Sequence, residues 1–276
     1  LVTGQMENIP SAAAFYQVDI RDEALKDVFE KEKPDIVNHH AAQMDVRKSV
    51  DDPVYDASVN VLGALNLLQN CIKYQVKKFI FASTGGAIYG EQDYFPADEQ
   101  HPLRPLSPYG ITKLATEKYL FFYNKTYGFT STILRYANIY GPRQNPHGEA
   151  GVVAIFSERI LQGLQPVING DGLQTRDYVF VGDVVKANEL ALENGDNKIY
   201  NIGTGIESNV NDLFRNIVKH TGREVPEQHG PAKAGEQMRS VLDSSFINRE
   251  LNWKPSVRLD EGLARTVDFF KQKLDA

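Results

Sequence analysis

The sequence predicts an α/β protein built on a parallel sheet, and two observations predict it. Short β-branched or aromatic runs alternate with longer amphipathic segments, which is the pattern of βαβ units. A hydroxyl-bearing strand end, Phe81-Ala82-Ser83-Thr84, is later followed by a clear helix start at Ser107-Pro108. Taken in order, Phe15-Tyr16-Gln17-Val18, Asp35-Ile36-Val37-Asn38-His39, Lys78-Phe79-Ile80-Phe81-Ala82 and Thr130-Ser131-Thr132-Ile133-Leu134-Arg135 read as strands. Helices are predicted between them at about 22–32, 54–75 and 108–127. Gly, Pro and Asn then become frequent through Tyr140-Gly141-Pro142-Arg143-Gln144-Asn145-Pro146-His147-Gly148, a loop-rich junction between domains. Beyond it come a strand and helix at about 176–194, the run Tyr200-Asn201-Ile202-Gly203-Thr204-Gly205, and helices at about 209–221, 244–251 and 259–274. No repeat and no long linker separates the halves, so they are expected to interleave and share a cleft. Ligands of such a sheet bind beyond the carboxyl ends of the strands, which makes the residues following each strand the ones to inspect.

Composition narrows the function classes. The 276 residues carry 30 Lys and Arg against 36 Asp and Glu, a formal charge of −6, with 42% hydrophobic residues. That balance excludes a disordered or collagen-like chain, and mild acidity without basic clusters argues against nucleic acid. The one cysteine, Cys71, permits no internal disulfide and sits in the apolar run Leu67-Leu68-Gln69-Asn70-Cys71-Ile72, where it reads as a buried structural thiol. No membrane span or signal peptide is visible. Among the six histidines, His39 and His40 are adjacent and point opposite ways on a strand, and no His pair has helical ligand spacing, so no metal is expected. A soluble cytoplasmic protein acting on small molecules is the class that remains.

The chemistry converges on one helix start. Ser107 is a good N-cap and Pro108 suits the first helical position, which places Tyr109 and Lys113 in the first turns. Four residues apart, they share a face. Lys113 then sets a positive charge near the phenol and lowers a pKa that is otherwise about 10, so that Tyr109 can act as general acid or base near neutral pH. The spacing alone is weak. With 13 Tyr in the chain about one match arises by chance, and Tyr74-Lys78 is a second. That pair closes a helix and runs into a strand with no hydroxyl-bearing strand end before it, and reads as a decoy. Tyr109 is set apart by Ser83-Thr84, which supplies a second hydroxyl.

These residues belong to a longer set: Tyr16-Gln17-Val18-Asp19-Ile20, His40-Ala41-Ala42-Gln43, Ser83-Thr84-Gly85-Gly86-Ala87-Ile88-Tyr89-Gly90, Tyr109 to Lys113, Leu134-Arg135-Tyr136-Ala137-Asn138-Ile139-Tyr140-Gly141-Pro142, Thr175-Arg176-Asp177-Tyr178-Val179, Asn201-Ile202-Gly203-Thr204-Gly205 and Arg249-Glu250-Leu251-Asn252-Trp253. Together they resemble the extended short-chain dehydrogenase/reductases, and within them the nucleotide-sugar epimerases of the UDP-glucose 4-epimerase type. The resemblance implies a Rossmann-like doubly wound parallel sheet with a smaller α/β substrate domain. It places an NAD-binding domain at 1–140, with 176–202 returning to it, and a substrate domain at 141–175 and 203–276.

Residue by residue, it makes Tyr109 the acid/base, Thr84 the hydroxyl at the sugar 4-position with Ser83 as an alternative, and Lys113 a holder of the nicotinamide ribose. It implies that Leu1 lies beside the adenosine ribose and that Asp19 and Ile20 border the adenine. His40, Ala41, Ala42 and Gln43 then line the dinucleotide, with Asn60, Ala82 and Tyr136 also touching it. Asn138 is expected at the substrate pyrophosphate, Val152 and Val153 near the uracil, and Arg176 at a phosphate. Plainer readings stand beside three of these: Val152 and Val153 as core, Asn60 as a buried helix hydrogen-bonder, and Arg176 as a surface ion pair with Asp177. The implied reaction is 4-epimerisation of a UDP-sugar through a bound 4-keto sugar, in a homodimer.

Two departures matter. Where relatives carry Arg-Pro-Gly-Glu or Arg-Pro-Gly-Asp, this chain has Lys233-Ala234-Gly235-Glu236, which keeps a charge but loses the bidentate fork of Arg, while Glu236 can still accept a ribose hydroxyl. Ser240 falls where the family limits room beside the sugar, and a small side chain there points to N-acetylated sugars as additional substrates. The related dehydratases carry Asp-Glu after the strand-end Thr, and decarboxylases a Glu; here Gly85 and Gly86 offer no acid. A sugar-nucleotide dehydrogenase or reductase and a non-catalytic dinucleotide-binding module remain alternatives. The latter is motivated by the start Leu1-Val2-Thr3-Gly4, which no glycine loop follows. It matches the family's segment after its second strand better than a first strand. The expectation is that the first βαβ portion lies upstream and that the chain as given holds NAD weakly.

Overall fold

The computed structural model describes residues 4–147, 151–233 and 237–275. In chain order the main elements are α1 (Leu25–Glu32), β1 (Ile36–His39), α2 (Val46–Asp51), α3 (Pro53–Ala57), a π-helical segment Ser58–Leu62, α4 (Gly63–Lys73), β2 (Lys78–Thr84), α5 (Gly85–Ile88), α6 (Pro108–Tyr127) and β3 (Thr130–Tyr136). They continue with β4 (Asn138–Tyr140), α7 (Val152–Leu161), β5 (Ile168–Asn169), β6 (Thr175–Phe180), α8 (Val181–Glu193), β7 (Lys198–Ile202), β8 (Glu207–Asn209), α9 (Val210–Thr221), β9 (His229–Gly230), β10 (Arg239–Ser240), α10 (Ser245–Leu251) and α11 (Leu259–Asp275). The chain forms two compact units. Unit 1 takes Leu1–Ser83, Ser107–Ile133 and Asp196–Lys198; unit 2 takes Thr84–Leu106, Leu134–Gly195 and Ile199–Ala276.

In unit 1 the sheet has the order β1-β2-β3-β7, with β3 and β7 running on into unit 2. β1 pairs parallel to β2, from Ile36 opposite Lys78 to His39 opposite Phe81. β2 reads as a continuous apolar run because both its faces are covered: Phe79, Ile80 and Phe81 are all buried. Each such side chain contributes roughly 1.5–3 kcal/mol on burial. The predicted strand Phe15-Tyr16-Gln17-Val18 does not form. Among the described residues no strand pairs with it, and the Val18 N–H donates to the Tyr16 carbonyl instead. β-propensity alone cannot make a strand without a partner.

The helix predicted over about 54–75 is interrupted. Asp52 caps α3, with Pro53 in its first turn, and the π-helical turn follows before α4 resumes. That turn carries Asn60, whose carbonyl accepts from Thr116 Oγ1 at 3.2 Å. π-turns of this kind gather at functional places. The decoy pair is spent on structure: Tyr74 closes α4 against Phe29, and Lys78 is salt-bridged to Asp196 at 2.6 Å. Cys71 is fully buried, and burial pushes its thiol up to about 12.

Unit 2 holds a second sheet, β10-β6-β4 with β8 also on β6, and a two-stranded pair β5-β9. Its core is apolar, where Phe156 and Ile160 of α7, Phe214 and Ile217 of α9, and Leu263 and Val267 of α11 pack together. α7, absent from the predicted elements, supplies one side of that core. The motif residues here are largely architectural. Buried Asp177 accepts the backbone N–H of Thr204, Gly205 and Leu242, and the Thr204 hydroxyl. Gly203 allows this approach, since a β-carbon there would stand 2.5 Å from Asp177 Oδ2. Trp253 is buried and donates from Nε1 to the Asp183 carbonyl at 2.9 Å.

Candidate functional site

α6 starts as its sequence demands. The Ser107 hydroxyl accepts from the Gly110 N–H at 3.2 Å, Pro108 occupies the first turn, and the Tyr109 N–H donates to Ser49 Oγ at 3.2 Å. One turn on, Lys113 is 4% exposed, and its ammonium lies 5.8 Å from the centroid of the half-buried Tyr109 ring. Lys113 Nζ donates to the Ala82 carbonyl at 2.9 Å and lies 4.9 Å from the Phe81 ring centroid. Burial pushes Lys113 down to about 8, against the opposing pull of Asp56 and Glu117. His39 is buried between the rings of Phe79 and Phe81, and burial and the Lys113 charge hold it near 3, as a neutral imidazole at neutral pH. The arrangement sets the Tyr109 ring beside a buried cation.

A buried polar network backs this helix. Asp56, with no exposed surface, accepts from Thr112 Oγ1 at 2.8 Å, Gln43 Nε2 at 2.9 Å and Asn60 Nδ2 at 3.1 Å. Asn60 Oδ1 accepts the Gln43 N–H at 2.8 Å, and its Nδ2 also reaches the Gln43 carbonyl and Thr112 Oγ1. Both side-chain atoms of Asn60 are therefore engaged within the chain, which is its plainer reading. It fixes the segment after β1, where His40 and Ala41 are exposed and Ala42 half-buried. Asp19 is exposed and held down to about 2 by the Arg21 guanidinium, while Ile20 packs over Gly63.

The two hydroxyls at the end of β2 differ. Ser83 is buried and donates to Glu117 Oε1 at 2.6 Å. Thr84 opens unit 2, is only partly buried, and accepts from the Ala87 N–H at 3.2 Å, leaving its own proton to give. A β-carbon on Gly85 would meet Leu242 Cδ1 at 2.4 Å. On Gly86 it would make ordinary van der Waals contact with Thr84 Oγ1 at 3.9 Å and Asn138 Oδ1 at 3.8 Å.

Elsewhere in unit 2, Arg176 is half-buried and donates to the Thr175 carbonyl, whereas Asp177 points to the opposite face of β6. Ser240 is 3% exposed and pairs with Arg176 across β10 and β6. Val153 belongs to the core and Val152 packs against it, so α7 uses both for packing. The Tyr136 hydroxyl is bonded to Asn188, and burial pushes its pKa up. Lys233 is exposed. Leu1 and Glu236 lie outside the described residues.

A family model described as GDP-mannose 4,6 dehydratase matches residues 2–266. The chain belongs to this family. A putative UDP-glucose 4-epimerase of Methanocaldococcus jannaschii is 48% identical over 272 residues, covering 98% of this chain and 88% of the relative. The crystal structure of a UDP-glucose 4-epimerase from Thermotoga maritima with UDP-glucose superposes with a TM-score of 0.97 at 49% identity, covering 99% of this chain and 89% of that one. A Thermus thermophilus UDP-glucose 4-epimerase in complex with NAD gives 0.94 at 46% identity, covering 98% and 89%. The Rossmann-like fold and the extended short-chain dehydrogenase/reductase resemblance follow.

Within the GDP-mannose 4,6 dehydratase family this chain still lacks an acid at 85 or 86, and the contact to Leu242 leaves no room for one at 85 without rearrangement. Sequence reasoning passed over Asp56 and Glu117, both buried carboxylates acting on Lys113. The available signal was Glu117 at the i+4 position after Lys113 on the same helix face. Among the described residues no group of three His, Cys, Asp or Glu is placed to hold a metal, and no helix is long and apolar enough to cross a membrane.

Proposed function

We propose that this chain is an NAD-dependent UDP-hexose 4-epimerase, interconverting UDP-glucose and UDP-galactose. The observation that carries the proposal is the half-buried phenol of Tyr109 beside the buried Lys113 ammonium. The residues fit NAD. Past the carboxyl end of β1 the chain presents exposed His40 and small Ala41 and Ala42, over a Gln43 held by Asn60 and Asp56. His40 to Gln43, Asp19, Ile20, Ala82 and Lys113 would hold it. The chemistry that NAD would supply there is reversible hydride uptake at the sugar. Tyr109 as phenolate takes the proton of the sugar 4-hydroxyl and later gives it back. Thr84, with a proton to donate, positions that oxygen, and Lys113 holds the phenolate form. Asn138 and Arg176 anchor the pyrophosphate while the keto sugar turns.

A dehydrogenase would share the first step, and a dehydratase would need the acid that Gly85 and Gly86 lack. Incubating the protein with NAD and UDP-galactose separates them. UDP-glucose should form without growth of absorbance at 340 nm; stoichiometric NADH would make the protein a dehydrogenase. The small side chain of Ser240 supports a second substrate class, the UDP-N-acetylhexoses. No turnover of these beside good turnover of UDP-galactose would refute that part. The reading extends to a cytoplasmic homodimer. It is supported by the lone buried Cys71 and by the exposed aromatic face of α6 at Tyr119, Phe121 and Phe122, and sedimentation tests the dimer.

A further inference from the structure

Glu117 lies one helical turn beyond Lys113 on α6 and is 4% exposed. Its Oε1 accepts the Ser83 hydroxyl at 2.6 Å, while Lys113 Nζ donates to the Ala82 carbonyl at 2.9 Å. Two side chains on one face of α6 thus grip two consecutive residues at the end of β2. The titratable groups around the ammonium are Asp56 from α3, Glu117 and Tyr109 from α6, and the neutral imidazole of His39 from β1; the Phe81 ring covers it from β2. A buried ammonium in low dielectric sheds its proton unless anions face it. Asp56, the stronger of the two anionic influences on Lys113, sits on another helix among Gln43, Asn60 and Thr112, whereas Glu117 shares the face of α6 with Lys113 and the end of β2 with it.

We propose that Glu117 is a positioning residue for the reaction: it keeps Lys113 protonated and seated on the end of β2, so that Tyr109 stays ready for proton transfer. This rests on the reading of Tyr109 as the acid/base.

The test is Glu117→Gln, which keeps the shape and an oxygen for Ser83 but removes the charge. In the NAD-supplied protein the Lys113 ε-CH₂ resonance, assigned by its loss in Lys113→Arg, should titrate at a pH lower by about one unit or more than in the parent. The alkaline limb of kcat against pH should move down with it, lowering turnover at pH 8 about fivefold for a one-unit shift. Glu117→Asp, which restores the charge, should return the midpoint most of the way, and Glu117→Thr, which removes the charge but keeps an oxygen, should show the same lowered midpoint if the Gln variant fails to fold. Ser83→Ala, which removes the hydroxyl but keeps the carboxylate, should leave the midpoint in place. An unmoved Lys113 midpoint in folded Glu117→Gln overturns the proposal. The titration needs no turnover, so an inactive parent would refute the epimerase reading while the Lys113 midpoint still decided the role of Glu117.

Discussion

In unit 2 the buried carboxylates of Asp177 and Asp183 face mainly backbone donors: Asp177 takes the N–H groups of Thr204, Gly205 and Leu242, and Asp183 those of Ser256 and Val257. In unit 1 the buried carboxylates of Asp56 and Glu117 face side chains, and both act on the Lys113 ammonium. The first pair fixes loops that have no regular structure of their own. The second pair surrounds an ammonium that burial alone would push toward its neutral form. A buried charge is costly in either place, and what compensates it tells whether it serves architecture or chemistry.

That contrast can be broken by substitution. Tyr109→Phe removes the proton acceptor and should lower kcat by about a thousandfold or more, with unchanged thermal unfolding, in a discontinuous UDP-galactose assay. Retained turnover would remove Tyr109 from the chemistry. Asp183→Ala should do the reverse. Stripping the partner from the Ser256 and Val257 N–H groups and the Ser256 hydroxyl should cost about 2–4 kcal/mol in urea unfolding, with the pH profile of kcat unmoved. A shifted profile would deny its purely structural role. Thr84→Val should cost about 10- to 100-fold in kcat and, by removing the cap on the Ala87 N–H, about 0.5–2 kcal/mol in stability, while an intact rate would return the hydroxyl role to Ser83.

The most gradual effect is one of pH. Because His39 is held near 3, the unfolded chain takes up a proton at about 6.5 that the folded chain refuses. Stability should be full above that pH and fall by up to about 1.4 kcal/mol per unit as pH drops toward 3. His39→Phe should flatten this part of the urea-midpoint profile, and an unflattened slope would point to other groups.

What the sequence disclosed divides along the range of the interactions. The start of α6 was legible because Ser107, Pro108, Tyr109 and Lys113 act within two turns, and i to i+4 geometry is local. The false strand at Phe15 to Val18 shows the opposite case, since pairing depends on a partner that local pattern cannot supply. Val152 and Val153 look the same in sequence whether lining a ligand or a core, and only the packing of α7 against α9 and α11 shows Val153 in the core with Val152 against it. Asn60 was visible as a polar residue in a helix. Its engagement by Gln43, Asp56 and Thr112 spans up to 52 residues and could not be read from spacing.

The central claim is that hydride leaves and returns to the same carbon under proton transfer by Tyr109, and an isotope tests it most directly. UDP-glucose carrying deuterium at C4 is incubated with the protein and NAD in ordinary water, and the UDP-galactose formed is examined by NMR. The account predicts deuterium retained at C4 of the product. Loss of the label to solvent, or its appearance at C6 with loss of water, would contradict it.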